Sequence, residues 1–129
     1  LTPQELRPIT YQLNIQLSQS SSLQIGKFGL FNFPAGHYIY TGSARRNLGA
    51  RVARHLKLNK TLRWHIDYLL ASPFSSIESV TLFSEMECEI NQRVNGVVLI
   101  AGFGASDCRA NCGSHLKYLG NNSTYCQAP

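Results

Sequence analysis

Acidic side chains are scarce in this chain, 7 Asp and Glu against 12 Lys and Arg among 129 residues, and none falls between Lys27 and Asp67. Long apolar runs are missing as well. No stretch approaches the roughly 20 residues a helix needs to cross a bilayer. The first residues, Leu1-Thr2-Pro3-Gln4-Glu5, show no basic start followed by an apolar segment. No secretory signal is visible, and a soluble cytoplasmic protein is the expectation. Internal repeats, low-complexity tracts and linkers are likewise absent, so residues 1–129 read as one domain with its core at about 9–118. An apolar content of 43% with 15% charged residues excludes a disordered chain, and the length suffices to bury a core without covalent staples.

What is present is a cluster of positive charge. Arg45, Arg46, Arg51, Arg54, Lys57, Lys60 and Arg63 lie in one stretch. A field of one sign attracts polyanions, of which nucleic acid is the commonest. A solvated helix face would normally mix both signs. An interaction domain unrelated to nucleic acid finds little support in such a cluster.

The hydrophobic pattern supplies the elements around it. Ile9, Tyr11, Leu13, Ile15 and Leu17 alternate with polar residues, the period of a half-buried strand. After a polar loop at Ser18–Ser22, Leu23–Phe33 reads as one bent or bulged strand interrupted by Gly26 and Gly29. Pro34-Ala35-Gly36 is a turn, and His37–Thr41 a strand ended by Gly42. Asn47 is placed to cap a helix running to about Lys57, with Leu48, Val52 and Leu56 as its core-facing stripe. Arg51 and His55 then share the border of that stripe, and Arg54 points further towards solvent. Trp64–Leu70 predicts a short helix or turn, Ile77–Phe83 a strand, and Glu85–Val94 a helix burying Met86, Ile90 and Val94. Val97–Ala101 predicts a buried strand and His115–Leu119 a last short one. The fold class is α+β: a small central, partly antiparallel sheet flanked by helices.

Five blocks occur in a telling order: Gly36-His37-Tyr38-Ile39-Tyr40-Thr41-Gly42-Ser43-Ala44, then Arg54-His55-Leu56, then Trp64-His65-Ile66-Asp67-Tyr68-Leu69-Leu70, then Glu87-Cys88, and last Gly102–Cys108 with Ser114-His115-Leu116. With the earlier Tyr11, this order resembles the GIY-YIG endonuclease superfamily, and within it the small Uri-type branch. The resemblance runs from about Ile9 to Tyr118. It implies a GIY-YIG-like nuclease fold and a metal-dependent endonuclease that hydrolyses phosphodiester bonds in DNA. It also implies roles for single residues. Tyr11 and Tyr40 match the two motif tyrosines, one of which helps activate the attacking water. Arg51 matches the arginine that stabilises charge on the phosphate, and His55 the histidine assisting the first tyrosine. Glu87 matches the carboxylate that holds one divalent ion, Mg²⁺ or Mn²⁺. Arg45, Arg46, Arg54, Lys57, Lys60 and Arg63 would contact the nucleic acid. DNA, branched or damaged forms included, is the expected partner, and no membrane is. The alternative is a nucleic-acid-binding module that keeps the fold without efficient catalysis.

Residue chemistry agrees with that assignment. Phosphodiester hydrolysis needs a base for water, cationic help for the phosphoryl oxygens and relief for the leaving oxygen. Arginine offers a planar fork to phosphate, and a hard Mg²⁺ prefers carboxylate and water. A phenol is a poor base at neutral pH unless cations or a hydrogen-bond partner favour its ionised form, which Arg51, His55 and a metal would do. Each residue also has a plainer reading: Tyr11 and Tyr40 as strand packing, Arg51 and His55 as backbone-binding groups, and Glu87 as one of three neighbouring glutamates. Two departures from the family pattern stand out. The first motif is Ile9-Thr10-Tyr11, without its glycine, and the interval from Tyr11 to Tyr40 is long, implying extra residues in the connecting hairpin.

Four cysteines allow three readings: inert thiols, an oxidised pair, or a structural zinc site. Cys108-x₃-Cys112-x₂-His115 with Cys88 would supply four zinc ligands. The three residues between Cys108 and Cys112 are an unusual spacing for this branch.

Overall fold

The computed structural model describes residues 8–44, 46–57, 60–104 and 113–120. Its centre is a four-stranded sheet, all of whose pairs are antiparallel, flanked by three short helices and a separate hairpin. The architecture is α+β.

Strand β1 (Thr10–Leu17) lies inside the sheet because its alternation buries Tyr11, Leu13, Ile15 and Leu17 completely or nearly so on one face. It pairs with β4 (Gly36–Ser43) on one side and β5 (Ser75–Phe83) on the other, and β6 (Leu116–Gly120) pairs with the far edge of β4. The register sets Tyr11 opposite Gly42 and Leu13 opposite Tyr40. Phe33, Tyr38, Ile66, Leu69, Ile100, Phe103 and Leu116 complete the core over this face.

Residues 23–33, expected as one bulged strand, form two. β2 (Ser21–Ile25) and β3 (Gly29–Phe33) make an antiparallel hairpin outside the main sheet. Gly26 (φ 51°) and Gly29 (φ 145°) adopt conformations an L side chain resists, so the chain reverses between them rather than bulging. The hairpin accounts for the long interval between Tyr11 and Tyr40.

Helix α1 (Leu48–Leu56) departs from expectation in its buried face. Leu48 and Val52 are half-buried and pack against the core as expected, but Leu56 is 52% exposed, and the fully buried residue is His55. Asn47 does not cap it with its side chain. It sits in the left-handed region (φ 55°, ψ 46°), and its carbonyl accepts from Arg51 N–H. At the other end the Lys60 ammonium donates to the carbonyls of His55 (2.7 Å) and Arg54 (3.3 Å), the latter also accepting from Lys57 N–H (3.2 Å).

Helix α2 (His65–Leu70) starts on a side chain: Asp67 accepts from the N–H groups of Arg63 and Trp64, both at 2.9 Å. Helix α3 (Glu87–Gln92) is shorter than its apolar pattern predicted. Ile90 is buried, but Met86 is 51% exposed and Val94 lies past the helix end. Val97–Ala101 is not a buried strand either. Val97 bridges Tyr118, and Val97, Val98 and Leu99 stay largely in solvent, with Ile100 alone buried. Among the described residues no helix is long and apolar enough to cross a membrane.

Candidate active site

Four elements meet at one end of β1 and β4. Tyr11 comes from β1, Tyr40 and Ser43 from β4, Arg51 and His55 from α1, and Glu87 from the start of α3. His115 joins them just before β6.

At the centre the Tyr11 phenol and His55 Nε2 share a buried hydrogen bond of 2.7 Å. Their rings are 5.3 Å apart, with Tyr40 6.5 Å from Tyr11 and 6.2 Å from His55. The glycine of the Tyr40-Thr41-Gly42 run is explained here, since a Cβ at Gly42 would collide with the phenolic oxygen of Tyr11. Ser43 ties the rest together. Its carbonyl accepts from Arg51 (3.0 Å), and its hydroxyl donates to Glu87 Oε1 (3.1 Å). The other carboxylate oxygen of Glu87 meets His115 Nδ1 at 2.9 Å. Glu87 is therefore held by both oxygens while its side chain stays 27% exposed. All five residues expected to carry catalysis are brought together.

The electrostatics differ from expectation in one respect. Arg51 faces the Tyr11 phenol and favours its ionised form, yet burial outweighs it and pushes the phenol up to about 12. Burial raises Tyr40 as well, and the neighbouring Tyr11 and Glu87 add to the effect. Tyr11 is therefore neutral at physiological pH. His55 is shifted the opposite way, down to about 4, by burial first and by the cations Lys60, Arg54 and Arg51, against the pull of Asp67. A neutral imidazole accepting from the phenol through Nε2 carries its proton on Nδ1. Among the described residues that buried Nδ1 has no hydrogen-bond partner.

Burial of a neutral histidine has a measurable consequence. Between about pH 4 and 6.5 the unfolded chain binds a proton at His55 that the folded protein does not. Stability is therefore fully present above about pH 6.5 and falls by about 3 kcal/mol as pH drops through this window. Urea unfolding at a series of pH values checks this, and His55→Gln is expected to flatten the slope.

The basic cluster divides in two. Arg54 does not point to solvent: it grips Asp67 through both guanidinium nitrogens (3.0 and 3.1 Å) and also donates to Thr61 O (2.7 Å). Lys60 is engaged on the carbonyls closing α1. Trp64 lies under the Arg54 and Arg51 guanidinium groups at 4.3 and 4.7 Å, so these two of the expected phosphate-binding residues also hold the site's wall. Arg46, Lys57 and Arg63 remain exposed, Arg63 with its guanidinium 5.7 Å from the Trp64 ring. Arg45 lies outside the described residues.

Of the expected zinc ligands, Cys108 and Cys112 lie outside the described residues, and His115 is turned to Glu87. Among the described residues no group of three or more His, Cys, Asp or Glu is placed to hold a metal. For a single hard cation the test is Glu87. Among the described residues each of its oxygens has one hydrogen-bond partner, which leaves lone pairs over, and the group reaches solvent. That donor suits Mg²⁺, which keeps most of its waters and needs one or two carboxylates from the protein.

Ser43 and Asp67 stand in blocks of the family pattern, but nothing in the sequence assigned them work, and His115 was expected only as a zinc ligand and not as the partner of Glu87. Ser43 and His115 lie 44 and 28 positions from Glu87, and no local period connects such distances.

The sequence model of a family described as domain of unknown function DUF123 matches residues 10–128, so the chain belongs to that family. No curated protein and no solved structure matches it.

Proposed function

We propose that this member of the DUF123 family is a metal-dependent endonuclease of the GIY-YIG type, hydrolysing phosphodiester bonds in DNA. The observation that carries the reading is the 2.7 Å contact between a neutral phenol and a neutral imidazole, with Arg51 and Glu87 gathered on Ser43 beside it.

The pair works as a proton relay and removes the need for a tyrosinate. With its hydrogen donated to His55 Nε2 and one lone pair facing Arg51, the Tyr11 oxygen has a second lone pair to accept from a water molecule. As that water attacks phosphorus, its proton passes to Tyr11 and the phenolic proton passes to His55. Negative charge growing on the phosphoryl oxygens favours the imidazolium at that moment, and the Arg51 fork stabilises the same charge. Glu87 would hold the divalent cation, which when bound neutralises phosphate oxygens and eases departure of the leaving oxygen. Exposed Arg46, Lys57 and Arg63 would contact the phosphate backbone.

Incubation with single-stranded, nicked, flap and branched DNA in Mg²⁺ or Mn²⁺ tests the proposal. Cleavage is expected, and it stops with chelator. Tyr11→Phe is expected to slow it about 100-fold while DNA affinity is retained, as fits loss of a general base. Salt-sensitive binding without cleavage of any substrate would instead favour a nucleic-acid-binding module.

A further inference from the structure

The hairpin β2–β3 is unaccounted for by the proposed chemistry, yet its tip lies against the same site. Phe28, in the turn between the strands, is 38% exposed, and Lys27 beside it is exposed as well. The Phe28 ring stacks on His65 with centroids 4.4 Å apart and planes only 5° from parallel. His65 is itself pinned, because its Nδ1 accepts from Gly104 N–H at 3.0 Å and its ring packs on buried Phe103. Gly104 in turn abuts Tyr40, as a Cβ there would meet the Tyr40 ring at 2.9 Å. An aromatic stack is thus built out from the Tyr11–Tyr40 cluster in three contacts, with Phe31 tilted against Phe28 at 5.1 Å and the exposed Lys27 next to it in the chain.

We propose that Phe28, backed by His65, is a stacking platform for an unpaired nucleobase, so that the substrate entering this site carries a single-stranded stretch. The inference rests on the nuclease reading and narrows its substrate class. Bases within a duplex are already stacked on each other, and an aromatic side chain can take only a base that has left the stack. An apolar protein partner is disfavoured by charge: Lys27 and exposed Arg46, Lys57 and Arg63 lie in a region with no acidic residue before Asp67. A basic stretch of this kind complements a polyanion. His65 Nδ1 accepts from Gly104 N–H, which needs that nitrogen unprotonated, and burial lowers the group in the same sense.

The test uses a flap DNA with 2-aminopurine in its single-stranded arm and a blunt duplex of the same length. The wild-type protein is expected to quench the probe, and Phe28→Tyr to keep the quench. Phe28→Ala and Phe28→Leu are expected to lose it, with about tenfold weaker binding to the flap and unchanged binding to the duplex. The leucine variant retains an apolar contact on His65, so loss of folding cannot imitate the result. Equal weakening on both DNAs, or no change on either, overturns the platform. If Glu87-dependent cleavage persists alongside that result, the nuclease reading stands without it. Absence of binding to any DNA overturns both.

Discussion

Glu87→Gln is expected to reduce Mg²⁺-dependent cleavage at least about 1,000-fold, with DNA affinity in chelator unchanged. The substitution removes the negative charge and keeps the shape. Ser43 Oγ and His115 Nδ1 now place the carboxylate at 3.1 and 2.9 Å, and an amide can satisfy one of them through its oxygen. Stability should therefore change by about 1 kcal/mol or less, as for a partly exposed polar replacement. What is lost is the group proposed to hold the cation, and with it the several kcal/mol of charge stabilisation that the cation would supply in the transition state. A loss of about 4 kcal/mol corresponds to 1,000-fold in rate. Single-turnover cleavage and thermal unfolding on the same preparation separate the two effects. Cleavage by Glu87→Gln at the wild-type rate would remove Glu87 from the reaction and with it the one-metal mechanism.

Asp67→Ala is expected to destabilise the fold by about 3–5 kcal/mol, the range found when one member of a buried ion pair is removed. Asp67 is completely buried and accepts four hydrogen bonds, two from Arg54 and one each from the N–H groups of Arg63 and Trp64. Burial alone would raise its carboxyl. The Arg54 guanidinium and the two N–H groups outweigh that and hold it below the usual carboxylate range. Its contribution is thus present above about pH 4 and is lost as acid protonates it at lower pH. Removing the side chain frees the start of α2 and strands the Arg54 charge beside Trp64. Asp67→Asn keeps an acceptor for the N–H groups but not the ion pair, and should fall between wild type and alanine. Urea midpoints order the three proteins. A loss under about 1 kcal/mol for alanine would show that the pair is dispensable. Because Trp64 is the only tryptophan, its emission reports whether this wall of the site loosens before the whole molecule unfolds.

The strands were legible to the extent that they alternate. β1 reads directly from Ile9 to Leu17, since every second residue must leave water. The hairpin of residues 21–33 did not read as two strands, because Gly26 and Gly29 are compatible with a bulge or a reversal. Only the packing of Ile25 and Phe33 into the core, both about 1% exposed, selects the reversal. Helix α1 misled in a more instructive way. Leu48, Val52 and Leu56 have the spacing of a buried stripe, but the helix turns His55 inward and leaves Leu56 in solvent. Hydrophobic periodicity assumes that apolar area decides which face is covered. Here a hydrogen bond to Tyr11 and the contact of Arg54 with Asp67 orient the helix instead.

By itself the sequence determined the α+β class, the central strand, the basic stretch and the candidate set Tyr11, Tyr40, Arg51, His55 and Glu87, because these rest on local period and on the order of motifs along the chain. Tertiary structure alone decided which basic residues remain on the surface and which are bound internally. It also decided that Tyr11 and His55 are both neutral, and that Ser43 and His115 hold Glu87. These properties depend on desolvation and on groups tens of residues apart meeting within about 3 Å. Both are set only when the sheet closes over its core.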